Sequence, residues 1–297
     1  MTALELVVFA VVLVVATTTA ITRTTWPYRA PCAALVFWAA GLAAAGSALV
    51  LAVVVLFADP HPYRGVTAYF GVAGAIAITA AGWLAVRIIR RFLAMICAAR
   101  PRRQRHSDLL DLFATALPGH SDVSVLNHDT PLAYCVPGLP THRVVVSNGL
   151  LTTLTAPELD AVLAHERHHL AGRHHLVTHL GDALAATLPR WRAAPHLVTR
   201  LAELVEMCAD CAARRHAGNH ATARALIALS NMPSLTDTLP ASGRAVQVRL
   251  RHLLLDTRCC RSPRAVTIFG LAGTTAVAPI LGTAVVLITE LCMWVCV

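Results

Sequence analysis

Long apolar stretches alternate with polar segments along the chain, and four of them are long enough to cross a bilayer. A transmembrane helix needs about 20 predominantly apolar residues in succession. The four stretches cover residues 3–21, 32–57, 67–89 and 265–295, the last broken by Pro279. A polar region of domain size separates the third stretch from the fourth. The pattern predicts a mainly α-helical, polytopic membrane protein with four transmembrane helices.

The same pattern predicts how the chain is divided. The first stretch has no basic segment before it and carries Glu5 near its start, so we expect a retained span and not a cleaved signal peptide. Residues 176–188 are also apolar, but they are few and include His179 and Asp182, which leaves open whether they enter the membrane. The predicted parts are three spans with short loops over 1–89, a basic juxtamembrane linker over 90–106, a polar domain over 107–262 and a fourth span over 263–297.

Composition agrees with a membrane protein and orients it. Hydrophobic residues make up 56% of the chain and charged residues 14%, with a mean hydropathy of +0.61. All 25 basic residues are arginine, and they are not interleaved with aromatic residues, so we expect no direct nucleic-acid partner. Arginine accumulates on the cytoplasmic side of membrane proteins. It clusters over residues 87–105 and 258–264, which predicts a multi-pass cell-membrane protein with a cytoplasmic polar domain and extracytoplasmic N- and C-termini.

One predicted helix of the polar domain carries a metal-binding pattern. Thr155 and Glu158 have the spacing of a capping box, which predicts a helix start, and the apolar residues that follow recur at helical spacing. His165 and His169 are four residues apart and therefore share a helix face, with Glu166 beside them. Two imidazoles at this spacing can bind one Zn²⁺, and the intervening carboxylate can act on water as a general base. With 15 histidines in the chain, HExxH can also arise by chance.

A second predicted helix supplies the missing ligand. It ends near Gly218 and carries Glu206 and Asp210. A catalytic zinc site needs a third protein ligand and one open position, which Glu206 on a neighbouring antiparallel helix would provide. Asp210 could bind the far nitrogen of a ligating histidine. Alternatively, these acidic residues pair with nearby arginines on a solvated helix face.

These segments resemble a known family. "SNGLLTTLTAPELDAVLAHERHHLAGRHH" and the later ExxxD from Glu206 to Asp210 resemble the membrane-embedded gluzincin peptidases, and "VRLRHLL" is similar to an arginine-containing segment of that family. Three spans before the peptidase domain and one after it resemble the BlaR/MecR type, more than the CaaX prenyl proteases or the heat-shock membrane proteases. We expect the chain to lack the C-terminal penicillin-binding sensor of BlaR/MecR proteins. Sensing of a β-lactam is therefore not expected.

The resemblance implies a fold and a function. It implies a cytoplasmic gluzincin-like metallopeptidase domain, helical with a small β component, between spans 3 and 4. Zn²⁺ would be held by His165, His169 and Glu206, with Glu166 as the general base. His174 and Arg249 are candidates for binding the oxyanion or the substrate. The substrate would be a protein or peptide near the membrane, with a transcriptional repressor as one hypothesis; the alternatives are a quality-control protease and a non-catalytic transducer with a structural metal.

One predicted strand leaves two alternatives open. Residues 143–147 are an apolar, β-branched run that predicts a strand just before the metal-binding helix. If it lies at a sheet edge, it could bind an extended peptide by strand addition. If it lies inside the sheet, it packs under the helix and only supports the site. The oligomeric state and the activating stimulus have no signature in the chain.

Overall fold

Three long apolar helices form the N-terminal part of the protein. The computed structural model describes residues 2–58, 66–138, 142–188, 190–230 and 242–255. Within these ranges, the helices long and apolar enough to cross a membrane, by length and composition, are Ala3–Arg23, Pro31–Phe57 and Gly71–Phe113. They lie in α1 (Ala3–Arg23), α3 (Pro31–Ala58) and α4 (Val66–Phe113), with the short α2 (Trp26–Arg29) between the first two. The first three predicted spans are present as helices; the fourth lies outside the described residues.

Helix α1 packs closely on α3. A Cβ atom added to Gly41 of α3 would lie 2.4 Å from the Thr17 side chain of α1, so only glycine permits this approach. Small residues at such contacts let the backbones of membrane helices come close. The opposite faces of these helices expose large apolar side chains, among them Val12, Val54 and Phe57. These exposed faces are the surface that the acyl chains of a bilayer would cover.

Helix α4 continues well beyond its apolar part. It runs through the arginine-rich residues 90–106 to Phe113 and includes Pro101, so the segment that we predicted as a linker is helical. Whether residues 90–106 form a separate part of the protein stays a prediction.

A four-stranded sheet follows α4 directly. Its strands are β1 (Ala114–Leu117), β2 (His120–Leu126), β3 (Ala133–Val136) and β4 (Arg143–Ser147), in the spatial order β1-β2-β4-β3. Strands β1 and β2 form a hairpin whose turn contains Gly119 at a φ of 83°. Strand β4 is parallel to β2 and antiparallel to β3, with Cys135 opposite Val144. Strand β4 is thus internal, and β3 is an edge strand of the described sheet.

Further helices follow the sheet along the chain, and residues of several of them pack on the face that carries Val144 and Val146. They are α5 (Asn148–Thr153), α6 (Ala156–Ala171), α7 (His174–Thr187), α8 (Ala194–Ser230) and α9 (Ser242–Leu255). The core between sheet and helices includes Val144, Val146, Leu150 and Leu163, all fully buried. Helix α8 is interrupted at Gly218, whose φ of 86° ends its first part as predicted, and a second helical part follows. The region after α4 is thus mainly helical with a small mixed sheet.

A second core joins this region to the membrane helices. Ile21 and Trp38, at the ends of α1 and α3 that α2 connects, are buried against Leu197 and Leu201 of α8. Helix α7 lies between α4 and α8 and, with 14 residues, is shorter than a membrane span. The predicted apolar segment 176–188 is therefore a helix packed against its neighbours.

Candidate metal centre

Helix α6 presents two histidines to its neighbour α8. The helix begins where Glu158 accepts a hydrogen bond from the backbone N–H of Thr155 at 2.9 Å, the predicted capping interaction. His165 and His169 lie one turn apart on the side that faces α8. Their Nε2 atoms are 3.0 Å apart, and each ring is largely buried. The local rules of helix geometry therefore place both imidazoles at one point.

Glu206 of α8 completes a cluster of three ligand atoms. Its two carboxylate oxygens lie 3.5 Å from Nε2 of His165 and 3.5 Å from Nε2 of His169. One ligand atom from each of the three residues lies within 4.8 Å of the others. The side chain of Glu206 is 39% exposed, so the cluster is reachable from solvent.

The donor set and the spacing fit zinc. Two nitrogens and one carboxylate oxygen are ligands that Zn²⁺ accepts, and ligands about 2.0–2.1 Å from a tetrahedral ion lie about 3.3 Å from one another. The two Nε2 atoms are 3.0 Å apart, and each lies 3.5 Å from a carboxylate oxygen of Glu206, so the observed separations lie on either side of that value. Three protein ligands leave one coordination position open, which distinguishes catalytic from structural zinc sites.

Behind the ligands lies a buried network of opposite charges. Asp210 is 2% exposed, and one of its oxygens lies 3.1 Å from Nδ1 of His165, the nitrogen that faces away from the cluster. Arg249 of α9 donates two hydrogen bonds of 2.7 Å to Asp210, and its third nitrogen lies 3.0 Å from Glu206. All three guanidinium nitrogens of Arg249 thus face carboxylates, which orients Asp210 and Glu206.

The pKa values of these side chains reflect this network. Burial disfavours the charged forms of Glu206 and Asp210, but hydrogen bonds outweigh this effect. A hydrogen bond from His165 lowers the pKa of Glu206 to about 2, and one from Arg249 lowers the pKa of Asp210 to about 2. Burial also opposes protonation of His165, yet its hydrogen bonds to both carboxylates raise its pKa to about 9. Burial lowers the pKa of His169 to about 4. The carboxylates are therefore ionised at neutral pH and can serve as ligands and acceptors.

His174 lies behind the second ligand. Its Nδ1 atom is 3.0 Å from Nδ1 of His169, and its ring is buried at the start of α7. The turn before it places Arg173 at a φ of 45°, in the left-handed region, and a Cβ atom on Gly172 would lie 2.5 Å from His174 Nε2. The chain therefore adopts an unfavourable backbone conformation to seat this ring. His174 contacts the side of His169 that faces away from the ligand cluster.

Glu166 lies between the cluster and edge strand β3. Burial raises its pKa above the ordinary range of a carboxyl group, while the charge of His165 opposes that shift. It is hydrogen-bonded to the thiol of Cys135, whose pKa burial and Glu166 raise to about 12, so this thiol stays protonated. Cys135 had no signal in the sequence, because its neighbour Glu166 belongs to a different element.

The structure brings together all seven residues that the sequence singled out. His165, Glu166, Glu206, Asp210 and Arg249 line a common cavity, while His169 completes the ligand cluster and His174 stands behind it. Strand β4 was predicted either to bind a peptide at a sheet edge or to lie inside the sheet. Both of its edges are paired, so the edge alternative is wrong. The sequence did not indicate the apolar lining of the cavity, because that lining is assembled from α6, α9 and the parts of α8 on both sides of Gly218.

Comparison with known proteins agrees with this geometry. Residues 99–213 match the profile of peptidase family M48, a segment that contains the sheet and all three candidate ligands. No curated protein and no solved structure matches the chain. The metal cluster, the matching segment and the apolar helices together make the protein a membrane zinc metallopeptidase that is similar to peptidase family M48 over residues 99–213.

Proposed function

We propose that the protein is an endopeptidase that cleaves polypeptides close to the cytoplasmic face of the cell membrane. The observation that carries this proposal is the position of Glu166, which lines the same cavity as the ligands His165 and Glu206. A structural metal site would not need an acidic side chain at its open position. The family match supports hydrolysis of a peptide bond as the reaction.

His165, His169 and Glu206 would hold the ion. When bound, zinc supplies Lewis acidity that polarises the substrate carbonyl and activates water. Glu166 would accept a proton from the attacking water and return it to the amine that leaves. Its burial suits this exchange, because a raised pKa brings a carboxyl group closer to the working pH.

Asp210, Arg249 and His174 act as positioning residues in this proposal. Asp210 accepts a hydrogen bond from Nδ1 of His165, which leaves Nε2 unprotonated and aimed at the ion. Arg249 holds Asp210 and Glu206 in place. Because its nitrogens already face carboxylates, this geometry favours a positioning role over the oxyanion binding that the sequence suggested.

Edge strand β3 is the proposed binding place for the substrate backbone. Its other edge is paired to β4, and its Cys135 contacts Glu166. An extended peptide added along the edge of β3 that is unpaired in the described sheet would pass beside the general base. Such main-chain hydrogen bonds do not depend on the side chains of the peptide. The proposed peptide-binding strand is therefore β3, whereas the sequence predicted β4.

The membrane helices limit which substrates can reach the site. The connection between α1 and α3 packs against α8, one turn before Glu206. Substrates would therefore be cleaved near the bilayer, on the side that the arginine clusters predict to be cytoplasmic. A membrane-associated transcriptional repressor meets this description, and so does a damaged membrane protein.

Replacing Glu166 with glutamine tests the proposal. The full-length protein, purified in detergent, should keep one zinc per chain in Glu166→Gln but lose peptidase turnover by roughly a hundredfold or more, the scale for a positioned general base. Glu206→Gln is the matched control, an equal change in a proposed ligand, and should lose zinc as well. If Glu166→Gln retains both zinc and wild-type activity, the site is not catalytic in the proposed way and the structural-metal alternative gains support.

A further inference from the structure

Basic side chains gather where the continuation of α4 packs on the start of α7. A guanidinium nitrogen of Arg103 in α4 lies 3.4 Å from Nε2 of His179 in α7. The ring centroids of His179 and His175 are 6.3 Å apart. Arg173 and His142 lie near enough for their charges to act on His175. We call these residues, Arg103, His142, Arg173, His175 and His179, the basic cluster.

Acidic residues do not balance the charge of the basic cluster. Among the residues that the structure describes, no carboxylate lies within ion-pair distance of the guanidinium group of Arg103 or of Arg173. Asp182 acts on His179, but Arg103 acts on the same ring with the opposite sign and more strongly. The first turn of α7 contains no acidic residue, so the helix dipole adds to the positive potential. An anion bound here would therefore be stabilised.

The imidazoles of α7 supply hydrogen-bond donors without adding to the repulsion. Burial and the charge of Arg103 lower the pKa of His175 to about 4, so this ring is neutral at pH 7. Burial also lowers the pKa of His179. A neutral imidazole still carries one N–H group that can donate. Arg103 and Arg173 remain charged at any working pH. Fixed positive charge and ring donors together suit a carboxylate.

The register of the sheet places the basic cluster in line with the proposed peptide-binding edge. Cys135 of β3, the residue that contacts the general base, is opposite Val144 of β4. His142 precedes β4 and lies two residues further along, which is about 7 Å at the spacing of a strand. Arg143, between these two, is paired with Asp111. A peptide added along β3 would therefore extend from the general base towards the basic cluster.

We propose that the basic cluster binds an aspartate or glutamate side chain of the substrate, about two to four residues from the scissile bond. The inference rests on the proposed peptidase function and names the class of its substrates. The carboxylate would accept hydrogen bonds from the guanidinium groups and from a ring N–H. Such charge-assisted hydrogen bonds are stronger than those between neutral groups. A peptide that lacks the acidic residue would leave the charge of the cluster uncompensated and would bind more weakly.

Paired peptides test the inference. Zinc-loaded full-length protein in detergent is incubated with a mixed peptide library, and the new termini are identified by mass spectrometry, with Glu166→Gln as the background. Cleaved peptides should carry an aspartate or glutamate at one fixed distance from the cleaved bond. For one such peptide, replacing its acidic residue with the neutral amide should raise KM about tenfold or more and leave kcat nearly unchanged, as expected when a hydrogen bond to a charged group is lost from binding alone.

Changing the charge of the basic cluster should change this preference. Arg103→Gln should reduce the preference for the acidic peptide about tenfold. Arg103→Glu should reverse it in favour of a peptide with lysine at the same position, a result that damage to the fold could not produce. Arg173→Gln repeats the test at an exposed position in the turn before α7, where folding should be undisturbed, and should also weaken the preference.

Arg102→Gln is the matched control. Arg102 directly precedes Arg103 on the same helix, but its side chain is exposed. This variant removes the same charge from the arginine-rich segment and should keep the wild-type preference. The comparison therefore separates binding at the basic cluster from the general attraction of a basic surface, which salt would screen.

The outcomes separate the two proposals. Cleavage by the wild-type protein without preference for an acidic residue overturns the inference about the basic cluster and leaves the peptidase function intact. The same holds if the zinc-containing variants at Arg103 and Arg173 keep the wild-type preference, or if Arg102→Gln loses it to the same extent. If no peptide is cleaved above the Glu166→Gln background, the proposed function fails and the inference fails with it.

Discussion

At the scale of single residues, each histidine of the cluster has its own partner behind it. His165 is paired with Asp210, and His169 is paired with His174. Such partners fix the tautomer and the ring orientation of a ligand, so that less freedom is lost when the metal binds. Because His169 would bind the ion through Nε2, its Nδ1 must carry the ring proton. This N–H would donate a hydrogen bond to Nδ1 of His174. His174 therefore acts as the hydrogen-bond acceptor for His169.

We predict that this acceptor matters for zinc affinity. His174→Leu should weaken zinc binding by about 10–100-fold, the usual effect of removing such a partner. His174→Asn should bind zinc nearly as well as the wild type, since the asparagine oxygen can occupy the place of Nδ1. Competition with a chromogenic chelator measures both.

His175→Leu is the control for the same experiment. His175 follows directly in α7, but its ring packs against His179 and not against the cluster. Unchanged zinc affinity in His174→Leu would show that the ring only fills space.

At the scale of elements, contacts to neighbouring elements hold α6 at its start and beside its metal-binding histidines. At its start, Glu158 caps the helix and also binds Arg224 of α8 at 2.7 Å. Further along, Arg167 forms two hydrogen bonds of 2.6 and 2.7 Å with Asp122 of β2. These contacts tie the ligand helix to the sheet on one side and to α8 on the other. They hold the register between His165 and Glu206.

Removal of the charge of Glu158 should lower stability in a pH-dependent way. The backbone N–H of Thr155 lowers the pKa of Glu158 despite its burial, and Arg224 adds to this. Because the folded-state pKa is depressed, the carboxylate stabilises the fold above the ordinary glutamate pKa of about 4.3, and the effect disappears as pH falls through the lower folded value. Glu158→Gln removes the charge but keeps an oxygen that can accept from Thr155, so it should cost about 0.3–1 kcal/mol at pH 7 and progressively less in acid.

Thermal unfolding of the detergent-solubilised protein measures this difference at pH 7 and at low pH. The matched control is Asp160→Asn on the same helix, where the side chain is exposed and makes no cap. A loss of stability in Glu158→Gln that is equally large in acid would contradict the electrostatic explanation.

At the scale of the whole molecule, the helix that carries Glu206 is attached to the membrane helices. Arg200 of α8 donates to the backbone carbonyl of Thr22 at 3.1 Å and packs over the ring of Tyr28. The Tyr28 hydroxyl donates to Glu203 at 2.9 Å. The connection between the first two spans therefore lies on the same side of the membrane as the metal centre. This agrees with the arginines at both ends of the peptidase region.

The arginine distribution predicts the absolute orientation as well. A reporter fused after Gln104, in the continuation of α4, should report a cytoplasmic location, and one fused after Val297 should report the exterior. The reason is that basic segments stay on the cytoplasmic side during insertion. Alkaline phosphatase and fluorescent-protein fusions distinguish the two sides; the reverse result would refute the predicted orientation.

Local patterns in the chain were sufficient for the first three membrane helices and for the ligand set. Continuous apolar runs predict spans because a bilayer requires about 20 such residues whatever their neighbours are. The spacing of His165 and His169 predicts a shared face because helix geometry is local. Even Glu206, on another helix, could be predicted, since a catalytic zinc site must have a third ligand.

Only the tertiary structure decided which strand lies at the edge and what surrounds the ligands. The sequence indicated a candidate edge strand at β4, yet β3 is at the edge, because strand order depends on how the chain crosses over and not on strand composition. The contacts of Arg249, His174 and Cys135 join elements that are distant in sequence or separated by a tight turn. The helical segment that follows the break at Gly218 lines part of the apolar cavity beside the candidate metal centre. Such contacts come from packing between elements, which no local period of the sequence encodes.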